Sequence, residues 1–382
     1  MNKIKILIVC AWPLGGIRTF LKYNYHYFSK NEFEITLLAN PSSEKKAVEE
    51  DMDAENIKVV WAKTFYGKSL LFLSVASLLR KGNFDIIHSQ GWISAFNASI
   101  ANFFFRIPHL MTIHGVLEEI YFKGMFGWLR KNILKISLKN VNVFHGVSND
   151  ILQHFKDVFP GFKKRKVKWS VINHGINTEI FLKEISDASE KLHEKLSVSS
   201  DTYIFGYFGR FMPVKGFNYI IDAVGILNNK PDFRKEFIVL GVGSGDYERE
   251  YKIDINAKNL SNRFIILPFM NDISSSMKGC DAVLMPSTSE AWGLLATESL
   301  CSGLPIIASN CIGLREATKD TPSIMIPAQS AEALADAMIY VMNHSELKEL
   351  FKNFKNEAAE RFDVKYSAEK LVNLIKTSVK YI

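Results

Sequence analysis

Two acids, Glu290 and Glu298, stand with seven residues between them and a glycine inside the interval, in "PSTSEAWGLLATESL" (286–300). On one continuous helix they would lie ~80° apart around the axis and ~12 Å apart along it, which is too far to share a proton. The segment does not read as one helix, however. "PSTSEAWG" has loop character and "LLATESLCSG" helical character. Glu290 then sits in a strand-end loop, and Gly293 lets the helix start approach an anion through the N–H groups of Gly293 and Leu294. Glu298 falls about one turn into that helix. A carboxylate accepts from two donors at once and so suits paired sugar hydroxyls. One acid reaches each end of a ligand with phosphate between, and hexose, diphosphate and ribose in series fit that spacing. The plainer alternative is a helix start with acids placed favourably near its dipole.

Two further loops could meet phosphate. "GYFGRFMPVKGF" (206–217) brings Arg210 and Lys215 to either side of Pro213, and Gly216 opens a helix. A guanidinium fork and an ammonium there make a diphosphate clamp. The loop lacks the glycine spacing and Lys-[Ser/Thr] pair of a P-loop, and two solvated basic residues are the rival reading. "PLGGIRTF" (13–20) places Gly15 and Gly16 before a helix, where the backbone can approach an anion. It is no GxGxxG, and a ligand-free tight turn remains open. The glycines of "GVGSGDYERE" (241–250) serve either a ligand or a plain strand-to-helix connection.

These loops need strands to carry them. "KILIVC" (5–10), "FEITLLA" (33–39), "IKVVWA" (57–62), "FDIIHS" (84–89), "PHLMTIHG" (108–115) and "NVFHGVS" (142–148) are apolar, β-branched and without clean alternation. Strands buried on both faces of a parallel sheet read this way. Helical segments at 17–30, 68–81 and 118–140 separate them. After the basic run at 163–168 the pattern restarts with strands at 203–209, 236–241, 263–268, 281–287 and 304–309 and helices near 215–229, 245–258 and 294–302. Two βαβ arrays predict an α/β protein of two doubly wound, Rossmann-like domains. The crossover is expected at 173–200. Ligands of such sheets bind beyond the strands' carboxyl ends, so two facing sheets would gather these loops around one central cleft.

Bulk properties agree with a globular chain: 382 residues suit about two domains, and 47% hydrophobic with 23% charged residues excludes disorder. "MNKIKILIVCAWP" is too short in apolar length for a signal peptide and reads as the first strand. "LLFLSVASLL" (70–79) falls short of a membrane span. Cys10, Cys280, Cys301 and Cys311 have no metal-ligand spacing, so buried thiols in a reducing, cytoplasmic compartment are expected. Up to residue 170 there are 24 Lys and Arg against 13 Asp and Glu, so the first half carries +11 of the net +7 and the second half −4. A basic half can meet nucleic acid, anionic lipid or a phosphorylated substrate. No nucleic-acid recognition motif accompanies it.

"PSTSEAWGLLATESLCSGLPIIAS" resembles the E-x7-E segment of the retaining GT-B glycosyltransferases of family 4. The resemblance continues in order through "PLGGIRTF", "TIHG" (112–115), "GVSND" (146–150), "INHGINTEIF" (172–181) and "GYFGRFMPVKGF", and covers most of the chain. It implies a GT-B fold. Residues 1–175 would form the acceptor-binding domain, joined by a C-terminal helix at 363–382, and residues 176–362 the nucleotide-sugar domain. It implies that Glu290 binds donor-sugar hydroxyls and Glu298 the ribose. Arg210 and Lys215 would hold the diphosphate with the amides of Gly293 and Leu294. Gly15 and Gly16 would face the donor phosphates, and His114 would stand beside the transferring carbon. Chemistry of this kind stabilises charge developing on the leaving diphosphate, so no metal and no cofactor beyond the sugar nucleotide is expected. Ala291 where the family often has Gly, Trp292 for a frequent Phe, and the single glycine of "CIGLREA" (311–317) depart from the pattern.

The stretch 121–140, "YFKGMFGWLRKNILKISLKN", has Lys123, Arg130, Lys131, Lys135 and Lys139, no acid, and many apolar residues. Such a helix can lie on an anionic membrane, or bury one stripe and solvate the rest. The expected function is transfer of a hexose or N-acetylhexosamine from a nucleotide-diphosphate sugar, with UDP-sugars favoured, to a saccharide or lipid-linked acceptor in bacterial surface-polysaccharide or glycolipid synthesis. A sugar-nucleotide epimerase of GT-B-like fold and a non-catalytic binding subunit are the alternatives.

Overall fold

The computed structural model describes residues 3–42, 44–163, 167–270 and 272–380. Of the basic run 163–168, Lys164, Arg165 and Lys166 lie outside the described residues. The chain divides into two compact units, residues 1–175 with 364–382 and residues 176–363.

The first unit holds β1 (Ile4–Cys10), β2 (Phe33–Ala39), β3 (Lys58–Trp61), the hairpin β4 (Thr64–Phe65) and β5 (Lys68–Ser69), then β6 (Ile86–Gln90), β7 (His109–Ile113), β8 (Val143–Gly146) and β9 (Lys168–Val171). Its seven-stranded sheet runs β3-β2-β1-β6-β7-β8-β9, and every pairing is parallel. Apolar clusters line both faces, one around Ile6, Ile8 and Leu37 and the other around Leu7, Val9 and Ile87. Burial on both faces is what removes alternation from the sequence. The helix Val364–Val379 places Leu371, Leu374 and Ile375 in the first cluster, and Ser367 Oγ donates to Asn24 Oδ1 at 3.1 Å. Burying an aliphatic side chain of this size contributes about 1.5–3 kcal/mol, so this helix is part of the unit's core.

The second unit holds β10 (Tyr203–Phe208), β11 (Phe237–Val242), β12 (Phe264–Leu267), β13 (Ala282–Met285), β14 (Ile306–Ser309) and β15 (Ile324–Ile326), ordered β12-β11-β10-β13-β14-β15 and all parallel. One face is an aromatic core of Phe205, Tyr207, Phe211, Phe217 and Phe237. The chain passes from the first unit to the second at Gly175–Ile176, inside the expected segment 173–200, and the rest of that segment carries the helices Thr178–Leu182 and Ala188–Leu196, which belong to this unit. In each sheet the order reverses once, beside β1 and β6 in the first and beside β10 and β13 in the second. Loops after those strands flank the position where open parallel sheets bind ligands.

All four cysteines are free and buried. Burial pushes the Cys10 and Cys301 thiols up to about 12 and the Cys311 thiol to about 11, so they are inert. Among the described residues no helix is long and apolar enough to cross a membrane.

Candidate active site

In the second unit the loops after β10 and β13 are locked together. Gly216 has φ +74°, and a Cβ there would fall 2.0 Å from the Pro286 carbonyl oxygen. Thr288 N donates to Val214 O at 2.9 Å. This approach, open only to glycine, sets Lys215 against Glu290: Nζ donates to Oε1 at 2.7 Å and to Oε2 at 2.9 Å. Ser287 Oγ also donates to Oε1, at 2.7 Å. From the other side Glu290 N donates to Ile312 O at 3.1 Å. The glycine string 241–245 serves the fold: a Cβ on Gly243 would fall 1.9 Å from the Gly209 carbonyl oxygen, and Phe211 N donates to Ser244 O at 3.0 Å. That packing holds the loop of Arg210, whose backbone carbonyl accepts from Tyr207 Oη at 2.9 Å. Arg210 is exposed, and its guanidinium has no partner among the described residues.

The helix Leu294–Cys301 opens at Gly293, which has φ +107°. Leu294 begins the helix as the sequence predicts, and Glu298 follows on it. Glu298 is half-buried, and no described side chain bonds its carboxyl. Desolvation pushes this acid up to about 7. Trp292 is buried with its indole Nε1 unpartnered. Within this unit, then, Lys215 and Glu290 are in contact, Gly293 and Leu294 present a helix start, Glu298 stands on that helix, and Arg210 lies free on the loop after β10.

In the first unit Gly15, at φ +54°, caps the helix Gly16–His26 that follows β1. That helix carries Phe20, whose ring meets His114 edge-on at 4.9 Å and His174 at 5.1 Å. The Gly15–Gly16 turn is thereby tied to His114. His114 follows β7; its Nε2 donates to Gln90 Oε1 at 2.7 Å, and its ring stacks on His174 at 5.4 Å. Nδ1 is buried and unpartnered. Burial, then the nearby His174, holds His114 well below the usual imidazole range, so it is neutral and its Nδ1 is a bare acceptor.

Behind it runs a buried chain. Ile172 O can only accept, so His145 Nε2–H donates to it at 3.0 Å. His145 Nδ1 therefore accepts from Thr112 Oγ1 at 2.9 Å. Thr112 Oγ1 accepts from His88 Nε2 at 2.6 Å, and His88 Nδ1 accepts from Tyr25 Oη at 2.5 Å. One terminal carbonyl thus fixes every tautomer. Sequence reasoning did not find Ser287, Gln90 or His174. Ser287-x-x-Glu290 has the spacing of a capping box and could have drawn notice. Gln90 and His174 carry no local signal.

Among the described residues no group of three or more His, Cys, Asp or Glu could hold a metal ion. The chain's Asp-x-Asp, Asp51-Met52-Asp53, lies on the helix Lys45–Ala54, where Asp51 is bound by Arg18 at 2.6 Å and Lys22 at 2.8 Å. Within 121–140 the helix Gly124–Ser137 buries little more than Gly127, Leu134 and Ser137. Met125 (77% exposed), Phe126 (71%) and Trp128 (65%) stand out into solvent with Leu129, Ile133 and Ile136. The ordinary one-stripe packing would leave no such apolar face.

Two parallel doubly wound sheets whose strand-end loops carry this acid–base–glycine set define the GT-B glycosyltransferase class. The "Glycosyl transferases group 1" profile matches residues 188–361 and the "Glycosyltransferase Family 4" profile residues 14–180, so the chain belongs to the group 1/family 4 glycosyltransferases. It is 25% identical to the UDP-Gal:alpha-D-GlcNAc-diphosphoundecaprenol alpha-1,3-galactosyltransferase of Escherichia coli, over 98% of this chain and 97% of that one. Its fold matches Anabaena HepE, solved in complex with UDP-glucose, at TM-score 0.81 and 20% identity over 98% and 100% of the two chains. A glycosyltransferase from Rickettsia africae matches at TM-score 0.80 and 22% identity over the whole of both chains.

Proposed function

We propose that the chain is a retaining, metal-independent hexosyltransferase that takes a hexose or N-acetylhexosamine from a nucleotide-diphosphate sugar, with UDP-sugars favoured. The observation that carries the reading is the second unit's site: Glu290 held by Lys215, next to a helix start, with the unpartnered Glu298 on that helix. Glu290 contacts donor-sugar hydroxyls and Glu298 the ribose. Arg210, Lys215 and the amides of Gly293 and Leu294 stabilise the charge that develops on the leaving diphosphate, work that needs no metal and no nucleophilic aspartate. His114 serves the transferring carbon, and the Gly15–Gly16 turn serves the donor phosphates. The departing phosphate takes the acceptor's proton in a front-face step.

The acceptor is a saccharide or lipid-linked sugar, and the setting is bacterial surface-polysaccharide or glycolipid synthesis. The name of the Escherichia coli relative supports this, since that enzyme's acceptor is a diphosphoundecaprenol-linked sugar. The enzyme works in the cytoplasm, peripheral at the inner face of the plasma membrane, which it meets through 121–140. No nucleic acid takes part. The test is a thermal-shift and turnover screen against UDP-, GDP-, dTDP- and ADP-sugars without added metal. One nucleotide class should stabilise the protein and turn over, and Glu290→Ala and Lys215→Ala should each lower kcat/KM at least ~100-fold. Near-normal transfer by either variant would remove these assignments.

A further inference from the structure

We propose that Ser287 and Lys215 are positioning residues that lock the Glu290 carboxylate and leave it a single open acceptor, on Oε2, so that the site reads one donor-sugar hydroxyl and not a pair. The inference rests on the reading of Glu290 as the donor-sugar contact and specifies how that contact selects.

The argument is an inventory of lone pairs. A carboxylate offers about four acceptor positions, two on each oxygen. Glu290 Oε1 accepts from Ser287 Oγ at 2.7 Å and from Lys215 Nζ at 2.7 Å, which fills it. Oε2 accepts from Lys215 at 2.9 Å and keeps one position. Ser287 is suited to be a fixed donor. It is 1% exposed, its only hydroxyl proton goes to Glu290, and its carbonyl is held by the buried Ser309 hydroxyl. The turn Pro213–Lys215 is fixed by Gly216 against Pro286 and by Thr288 on Val214, which keeps the Lys215 backbone within reach of Glu290, and swinging the ammonium away would break both of its bonds to the carboxylate. A bidentate hydroxyl contact would require Oε1 to give up a charge-assisted bond.

The charges point the same way. Lys215 and Glu290 neutralise each other, so the ammonium presents little net charge to a diphosphate. Arg210, exposed and without a described partner, is the uncompensated cation of the two. Arg210 and the helix start therefore carry more of the ground-state phosphate affinity than Lys215, which acts on the charge developing at the leaving diphosphate while it holds Glu290 for the sugar.

The experiment uses the full chain and has two arms. In the first, unfolding midpoints are measured without nucleotide for Ser287→Ala, Glu290→Gln and the double variant. A shared hydrogen bond makes the two losses strongly non-additive; additive losses overturn the lock. In the second, UDP and UDP-glucose affinities and kcat/KM are measured. Ser287→Ala should cost about tenfold for UDP-glucose, as expected for a hydrogen bond to a charged group, while UDP affinity falls mainly in Arg210→Ala. Single-deoxy UDP-glucoses should show one essential hydroxyl with the native chain and weaker discrimination with Ser287→Ala. Equal losses for UDP and UDP-glucose in Ser287→Ala, or two equally essential hydroxyls in the native chain, overturn the single-acceptor reading. If native protein binds neither UDP nor UDP-glucose, the donor assignment falls, and the first arm still decides whether the lock exists.

Discussion

Glu298 carries a testable conflict between its surroundings and its work. Desolvation raises its carboxyl to about 7, yet accepting bonds from a ribose diol is best done by the ionised form. The sign follows directly. Below about 7 the group is protonated and one of its acceptor sites becomes a donor; above it both oxygens accept. UDP affinity should therefore rise several-fold between about pH 6 and about pH 8, and Glu298→Gln should flatten that rise. A pH-independent affinity in the native chain, measured by calorimetry, would remove Glu298 from the ribose. Residue types and spacing made Glu290, Glu298, Arg210 and Lys215 visible, because Glu290, Arg210 and Lys215 lie in loops between a strand and a helix and Glu298 lies one turn into the helix that follows. Ser287 was hidden in plain spacing, since Ser-x-x-Glu reads as a cap until the loop geometry shows the two side chains bonded to each other. Gln90 and His174 acquire meaning only through His114, which lies far from both in sequence.

Elements were legible in proportion to how fully they are buried. β1, β2 and β10 stand almost where their apolar runs predict, because burial on both faces leaves a composition no exposed segment shares. β9, "KWSV", and β15, "IMI", were missed; both are short edge strands, only partly buried, so neither needs an apolar run. The central strands also carry polar cargo. His88 on β6, Thr112 on β7 and His145 on β8 form one bonded line across three neighbouring strands. Thr112→Val keeps the volume but leaves His88 Nε2–H and His145 Nδ1 without partners. At about 1–3 kcal/mol for each buried unsatisfied group, the variant should lose about 2–6 kcal/mol in denaturant unfolding. A loss near zero would mean that water replaces the hydroxyl. The helix Gly124–Ser137 predicts an opposite kind of behaviour, because its apolar residues face out. Phe126→Glu with Trp128→Glu should abolish sedimentation with anionic vesicles and leave stability nearly unchanged. Binding to those vesicles should weaken with salt, as Arg130, Lys131 and Lys135 contribute the attraction. Indifference of the native protein to anionic lipid at low salt would leave this face to some other partner.

On the scale of the chain, the two units differ in a way that neither composition nor net charge reveals. The sequence shows nine histidines but cannot show that His88, His109, His145 and His174 are buried in one unit, since burial is decided by strands that meet from distant parts of the chain. Burial pushes His88 well below the usual range, His109 and His174 to about 3, and His145 to about 4, and neighbouring imidazoles add to the shift at His88 and His174. The unfolded chain takes up protons on these residues below about 6.5, while the folded unit keeps His109, His145 and His174 neutral down to about pH 3–4 and holds His88 neutral well below the usual range. Between those limits the unfolded state binds more protons, so stability rises with pH and is lost as pH falls. Each group contributes at most about 1.4 kcal/mol per pH unit, and four acting together suffice to exhaust the stability of an ordinary domain within about two units. The first unit should accordingly open in mild acid near pH 4–5. Its C-terminal helix, Val364–Val379, should open with it, although 188 residues of the other unit separate that helix in sequence from the rest of its fold. Hydrogen exchange followed by peptide-resolved mass spectrometry across about pH 4 to about pH 7 checks this. Peptides from 3–175 and 364–380 should lose protection together and before those of the second unit. Earlier loss in the second unit, or retention of protection by the C-terminal helix after its sheet has opened, would show that the histidine line does not govern acid stability.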